Sequence, residues 1–68
     1  MVKTNALQGR EVLLELIPIG DYVRATAVDV ESGTEVSIQG PRSAMLQLLK
    51  NNAMRRLEYV LRKKGVIA

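Results

Sequence analysis

Residues 31–41 read Glu-Ser-Gly-Thr-Glu-Val-Ser-Ile-Gln-Gly-Pro, and two changes of pattern within them decide the fold. Glu31-Ser32-Gly33-Thr34 is a turn signal, because Gly33 takes the positive φ that a tight hairpin with a bulge needs. Glu35 to Gln39 follows as a short strand, with Val36 and Ile38 facing one way. Gly40-Pro41 ends it. Beyond that point the apolar residues stop alternating and recur at helical spacing. Leu46, Leu49, Ala53, Leu57, Val60 and Leu61 fall on one stripe.

Working back from the hairpin, Tyr22 to Val30 is rich in β-branched and aromatic residues and reads as a strand. Pro18-Ile19-Gly20-Asp21 is a turn, and Glu11 to Ile17 an earlier strand with Val12, Leu14 and Leu16 on one face. Residues 1–9 read as a flexible polar arm, and residues 10–66 as a single βββα domain. The fold class is α+β: a three-stranded antiparallel meander followed by a long C-terminal helix packed on one sheet face. Residues 42–64 carry the helical pattern, with Pro41 suited to its start and Gly65 to the position just past its end. Asn51-Asn52 is its weak point, since Asn is a poor interior helix residue. An unbroken helix over this range spans ~35 Å against ~27 Å for an eight-residue strand. It therefore overhangs its sheet, bends near Asn51, or meets another subunit.

Charge divides at the same boundary. Residues 1–40 hold three bases and six acids, a sum of −3, while residues 41–68 hold seven bases and one acid, a sum of +6. The 68 residues contain no Cys and no His, and their aromatics are Tyr22 and Tyr59. Disulfides and thiolate sites are excluded, and the commonest metal ligand and general base are missing. A chain this short buries only roughly 60% of its unfolded surface. With no staple available, tight aliphatic packing or self-association must stabilise it.

Glu11-Val12, Gly33-Thr34-Glu35-Val36-Ser37-Ile38 and Arg56-Leu57-Glu58-Tyr59-Val60-Leu61-Arg62 resemble a family of short uncharacterised bacterial proteins, a domain-of-unknown-function family. The resemblance runs from residue 10 to residue 65. It implies a small βββα-type domain of bacterial, cytoplasmic origin, and brings no activity or site with it.

Strand parity sorts the sheet into two faces. Val12, Leu14, Leu16, Val23, Ala25, Ala27, Val36 and Ile38 share the face expected under the helix, where the two alanines allow close approach. The opposite face carries Leu13, Ile17, Tyr22, Val28 and Val30 among Glu11, Glu15, Glu35 and Arg24. That is more apolar surface than a solvated sheet face normally shows. Leu13, Ile17, Tyr22, Arg24, Val28 and Val30 are therefore the candidate interaction surface, with a homo-oligomer as the expected partner and a dimer favoured.

Arg55, Arg56, Arg62, Lys63 and Lys64 are candidate basic contacts. A weak nucleic-acid-binding module using this helix is the alternative function. The acidic sheet face repels a polyanion, and cations in a last helical turn also serve to offset the helix dipole, with Glu58 and Arg62 paired at i,i+4. Asp29, Glu31 and Glu35 flank the hairpin without the spacing of a calcium loop, and Gly40-Pro41-Arg42-Ser43 lacks the spacing of a phosphate loop. The serines have no His beside them. The expected protein is therefore non-enzymatic, with no cofactor, no metal and no membrane partner. No run approaches the ~18 apolar residues of a membrane span, and the N-terminal residues lack the apolar core of a secretory leader. Cytoplasm is the expected compartment.

Overall fold

The computed structural model describes residues 2–68, with side chains from Leu7 onward. Five elements follow in order: β1 (Val2–Leu7), β2 (Arg10–Ile19), β3 (Tyr22–Asp29), β4 (Glu35–Pro41) and α1 (Leu46–Lys63). The strands form one antiparallel sheet in the order β1-β2-β3-β4. The α+β class, the meander and the C-terminal helix on one sheet face are as the sequence indicates. The sheet has one strand more.

That strand corrects the reading of residues 1–9 as an arm. Met1 lies outside the described residues, but Val2–Leu7 pairs along β2, from Val2 opposite Glu15 to Leu7 opposite Arg10. The reversal is a two-residue turn in which Gln8 and Gly9 both have positive φ, 52° and 79°. Such turns match the twist of the strands they join. Gln-Gly is a weaker signal than Asn-Gly, because Gln bears the left-handed conformation at a cost, so the turn was missed.

The expected core face is the observed one. Val12, Leu14, Leu16, Val23, Ala25 and Ala27 are buried against Leu49, Ala53, Leu57 and Leu61 of the helix, with Val36 and Ile38 at its margin. Burying each large aliphatic side chain contributes about 1.5–3 kcal/mol, and the helix forms chiefly because this stripe needs a sheet beneath it. The helix lies across β3 and β4, where residues 25, 27 and 40 are Ala, Ala and Gly. Leu49 sits so close above Gly40 that a Cβ added there would overlap Leu49 Cδ2.

The helix itself differs from expectation in three ways. It begins at Leu46, because Pro41 closes β4 opposite Tyr22 instead of opening the helix. β4 is an edge strand, the one place a sheet tolerates proline. Arg42 N–H then donates to Asp21 O (3.1 Å) and Ala44 N–H to Pro41 O (2.9 Å), which turns the chain before the helix starts. Second, the helix runs unbroken through Asn51 and Asn52, which lie on its solvent side while Ala53 faces the core. Gln47 Nε2 donates to Asn51 Oδ1 (3.0 Å), and the modest intrinsic cost of two Asn is outweighed by the buried stripe. Third, it does not overhang: the 18 residues of α1 span ~27 Å, matching the ~27 Å of the eight residues of β3 beneath it. Leu46, expected on the buried stripe, is exposed in the first turn.

The C-terminus of α1 matches its sequence signal. Gly65 has a φ of 76°, and the bonds Gly65 N–H to Arg62 O (3.0 Å) and Val66 N–H to Leu61 O (2.9 Å) complete a Schellman cap. Val66 and Ile67 pack back on the core. No helix among the described residues is long and apolar enough to cross a membrane.

Candidate functional site

Three features carry the polar chemistry of the molecule: the open sheet face, the outer helix stripe, and a buried network at the β3–β4 hairpin.

On the open face, register brings most of the candidate surface together. Leu13 lies opposite Val28, Ile17 opposite Arg24, and Ile19 opposite Tyr22. Leu13, Ile17, Tyr22 and Val28 are half-buried, and Arg24 is exposed. Val30 is exposed beyond the end of β3, where its N–H donates to Glu11 O (3.1 Å). A shallow hollow of about 160 Å³ opens among Leu13, Glu15, Thr26, Val28 and Glu35. Its floor is Thr26, buried among longer neighbours and hydrogen-bonded to Ser37 Oγ (3.0 Å). Glu15 and Glu35 stand on either side, opposite Thr26 and Val28 respectively. With Glu11 and Arg24, the charged side chains of β2–β4 on this face comprise three acids and one base.

The basic candidates do not form one set. Arg62 Nη2 pairs with Glu58 Oε2 at 2.6 Å, as the i,i+4 spacing indicates, and Arg62 Nε donates to Ala68 O (3.1 Å). Lys64 Nζ donates to Thr34 Oγ1 (2.9 Å) and thereby joins the helix end to the hairpin. Arg55, Arg56 and Lys63 remain exposed, without an ion pair among the described residues. Arg56 and Lys63 flank the Tyr59 ring, each 5.9 Å from its centroid. Leu48 and Tyr59, which parity places opposite the buried stripe, are each 54% exposed.

The hairpin network is the part that sequence reasoning missed. Asp29 has no solvent exposure. Arg10 Nε donates to Asp29 Oδ1 (3.0 Å) and Nη2 to Oδ2 (2.9 Å), while Arg10 Nη1 reaches Glu31 Oε2 (3.1 Å). Ser32 donates its N–H (3.0 Å) and its hydroxyl to Asp29 Oδ2. Ser32 Oγ and Thr34 Oγ1 are 2.8 Å apart. The Ser32 hydroxyl is also placed to donate to Thr34 Oγ1, which accepts from Lys64 as well, and Thr34 N–H donates to Ser32 Oγ (3.2 Å). A chain of hydrogen bonds therefore links Lys64 through Thr34 and Ser32 to Asp29, and Arg10 closes it from the other side. The Arg10 and Ser32 bonds hold the Asp29 carboxyl well below the usual range, against the opposing effect of burial. Hydrogen bonding to Asp29 sets the Arg10 guanidinium further above its already high value, against the opposing effect of burial.

Such an acid is a very weak base, poorly suited to take the proton of the Ser32 hydroxyl it holds. The network is built to fix the hairpin on β2 and the helix end. Parity held the signal for it. Arg10 falls in step with Val12, Leu14 and Leu16, and Asp29 with Val23, Ala25 and Ala27, so two opposite charges point to the core side. The hairpin acids do not converge as a cation site either. Asp29 turns inward to Arg10, whereas Glu35 lies on the open face, and no group of three potential metal ligands occurs among the described residues.

We found no match to this chain among curated proteins, and none among solved structures. A family model does match, over residues 9–64, which takes in β2, β3, β4 and α1. The chain thus belongs to a family described as a domain of unknown function, DUF6898.

Proposed function

We propose that this chain is a small, non-enzymatic interaction protein that self-associates through its open sheet face. The observation that carries the reading is the helix-free side of β2–β3, where Leu13 with Val28 and Ile17 with Tyr22 form two half-exposed apolar groups, one on either side of the Glu15–Thr26 pair. A sheet with one face under a helix and the other apolar gains by covering the second. The weakly basic, fully bonded Asp29 supports a binding role over a catalytic one. A bacterial cytoplasmic setting is what the family resemblance implies and forms part of the proposal. Sedimentation velocity at tens of micromolar tests it. The expected result is a species larger than one chain, and Leu13→Glu or Val28→Glu returns it to a folded monomer. A monomer at every concentration would overturn it.

A second reading rests on Arg55, Arg56 and Lys63, which stand open around Tyr59 on the helix. It makes the helix a weak contact for nucleic acid, with phosphates on the bases and a stacking surface on the ring. Binding would weaken steeply with salt and vanish on changing the three bases to Glu. No binding to single-stranded or duplex nucleic acid at low salt removes this reading.

A further inference from the structure

We propose that the copies join head to tail: the basic helix stripe around Tyr59 of one copy docks on the acidic hollow of the next, so that assembly does not close as a twofold dimer. This rests on the reading that the chain self-associates, and it specifies which surfaces meet.

Three observations lead to it. The first is charge. Glu15 and Glu35 border the hollow, and Glu11 lies on the same face. Arg56 and Lys63 border Tyr59, with Arg55 beside them on the outer side of the helix. Sheet against sheet would bring two sets of carboxylates together, and helix against helix two sets of bases. Sheet against helix is the pairing that sets the three acids of the one surface against the bases of the other.

The second is shape. The Tyr59 ring projects from the helix and is 54% exposed. The hollow holds about 160 Å³ between Leu13 and Val28 over the Thr26 floor. A space of ~150 Å³ admits a benzene ring. An aromatic anchor seated in an apolar pocket, ringed by charges of opposite sign, has the anatomy of an interface hot spot.

The third is geometry. The molecule has two layers, and the outer side of the helix and the open sheet face lie back to back across them. A rigid copy cannot present both to the same partner. The contact is therefore heterologous, and successive copies extend as a chain or close as a ring of more than two.

Light scattering on the full chain, with a sheet variant (Glu15→Lys with Glu35→Lys) and a helix variant (Arg56→Gln, Tyr59→Ala and Lys63→Gln), tests the proposal. All five positions lie away from the core, and circular dichroism checks that each variant is folded. At low salt the unaltered chain should grow past two copies with concentration, and high salt should reverse this. Each variant alone should be monomeric. Mixed in equal amounts, they should form a one-to-one pair that stops growing, because one intact helix meets one intact sheet. An unaltered chain that is monomeric throughout overturns self-association and this proposal together. An unaltered chain that stops at two copies, a variant that still associates alone, or a mixture that stays monomeric while the unaltered chain grows overturns the head-to-tail contact and leaves self-association standing.

Discussion

Arg10 grips both carboxylate oxygens of Asp29, at 3.0 and 2.9 Å, and so ties the start of β2 to the end of β3 from the core side of the sheet. Through Ser32 and Thr34 the same carboxylate is linked to Lys64 past the end of the helix. One buried acid thus connects the hairpin, a central strand and the helix terminus. In a chain with no cysteine, it takes the place of a covalent staple.

Asp29→Asn should therefore lower stability at neutral pH, by about 2–3 kcal/mol. The figure is at the low end for a buried pair because the Arg10 side chain remains 18% exposed and can be rehydrated. The pH dependence has a definite sign. The Asp29 carboxyl is held below its ordinary value in the folded state, so its stabilisation is complete above the unfolded value near 3.9 and is lost as pH falls toward the folded one. Urea unfolding from about pH 7 to pH 2 should show a constant gap between the two proteins down to about pH 4, then a narrowing gap. A gap that stays constant to the lowest pH would show that the carboxylate charge contributes nothing.

Gly40 beneath Leu49 gives a second test, of helix–sheet approach. Gly40→Ala inserts a methyl group into space that Leu49 Cδ2 occupies, and should cost about 1–2 kcal/mol. Leu49→Ala, which empties a buried site, should cost about 2–4 kcal/mol. Removing the Leu49 methyls also removes the overlap, so the double variant should lose less than the two single losses combined, by about 1 kcal/mol. Additive losses in denaturant melts would mean that Leu49 turns aside freely and the close approach is not a constraint.

What the sequence revealed follows from which signals are periodic. Alternation along 11–17, 22–30 and 35–39 placed Val12, Leu14, Leu16, Val23, Ala25 and Ala27 on one face, because a one-residue slip would expose all of them. The 3.6-residue period did the same for Leu49, Ala53, Leu57 and Leu61. Gly33 and Gly65 marked their turns, with φ of 73° and 76°. The features missed are those that local pattern does not encode. The apolar residues of β1, Val2, Ala6 and Leu7, do not alternate, and its turn uses Gln8 where Asn or Gly is usual. Pro41 fits a strand end and a helix start equally well, and only the register with Tyr22 decides between them. The Arg10–Asp29 pair spans 19 residues of sequence and exists only once β2 and β3 are paired. The open face was legible as a set of residues; the hollow within it was not, since its depth depends on Thr26 lying lower than Leu13, Glu15 and Val28.

The helix start offers the last prediction. Met45 occupies the N-cap position with φ −67° and ψ 127°, the extended conformation a capping residue needs, yet its side chain accepts no hydrogen bond and the first turn contains no acid. Met45 O already accepts from the N–H groups of Leu48 (3.0 Å) and Leu49 (3.2 Å), so a side-chain oxygen at this position would serve the N–H of Gln47. Met45 is 73% exposed, and replacing it removes little from the core. Met45→Ser should stabilise by about 0.5–1 kcal/mol, and Met45→Asp by somewhat more, because its charge also meets the positive end of the helix dipole. In a domain of this size that is a rise of about 3–6 °C in melting temperature. Met45→Ala, which loses the same methionine without adding an acceptor, should show no rise. Equal gains for Ala, Ser and Asp would assign the effect to the loss of an exposed apolar side chain and not to capping.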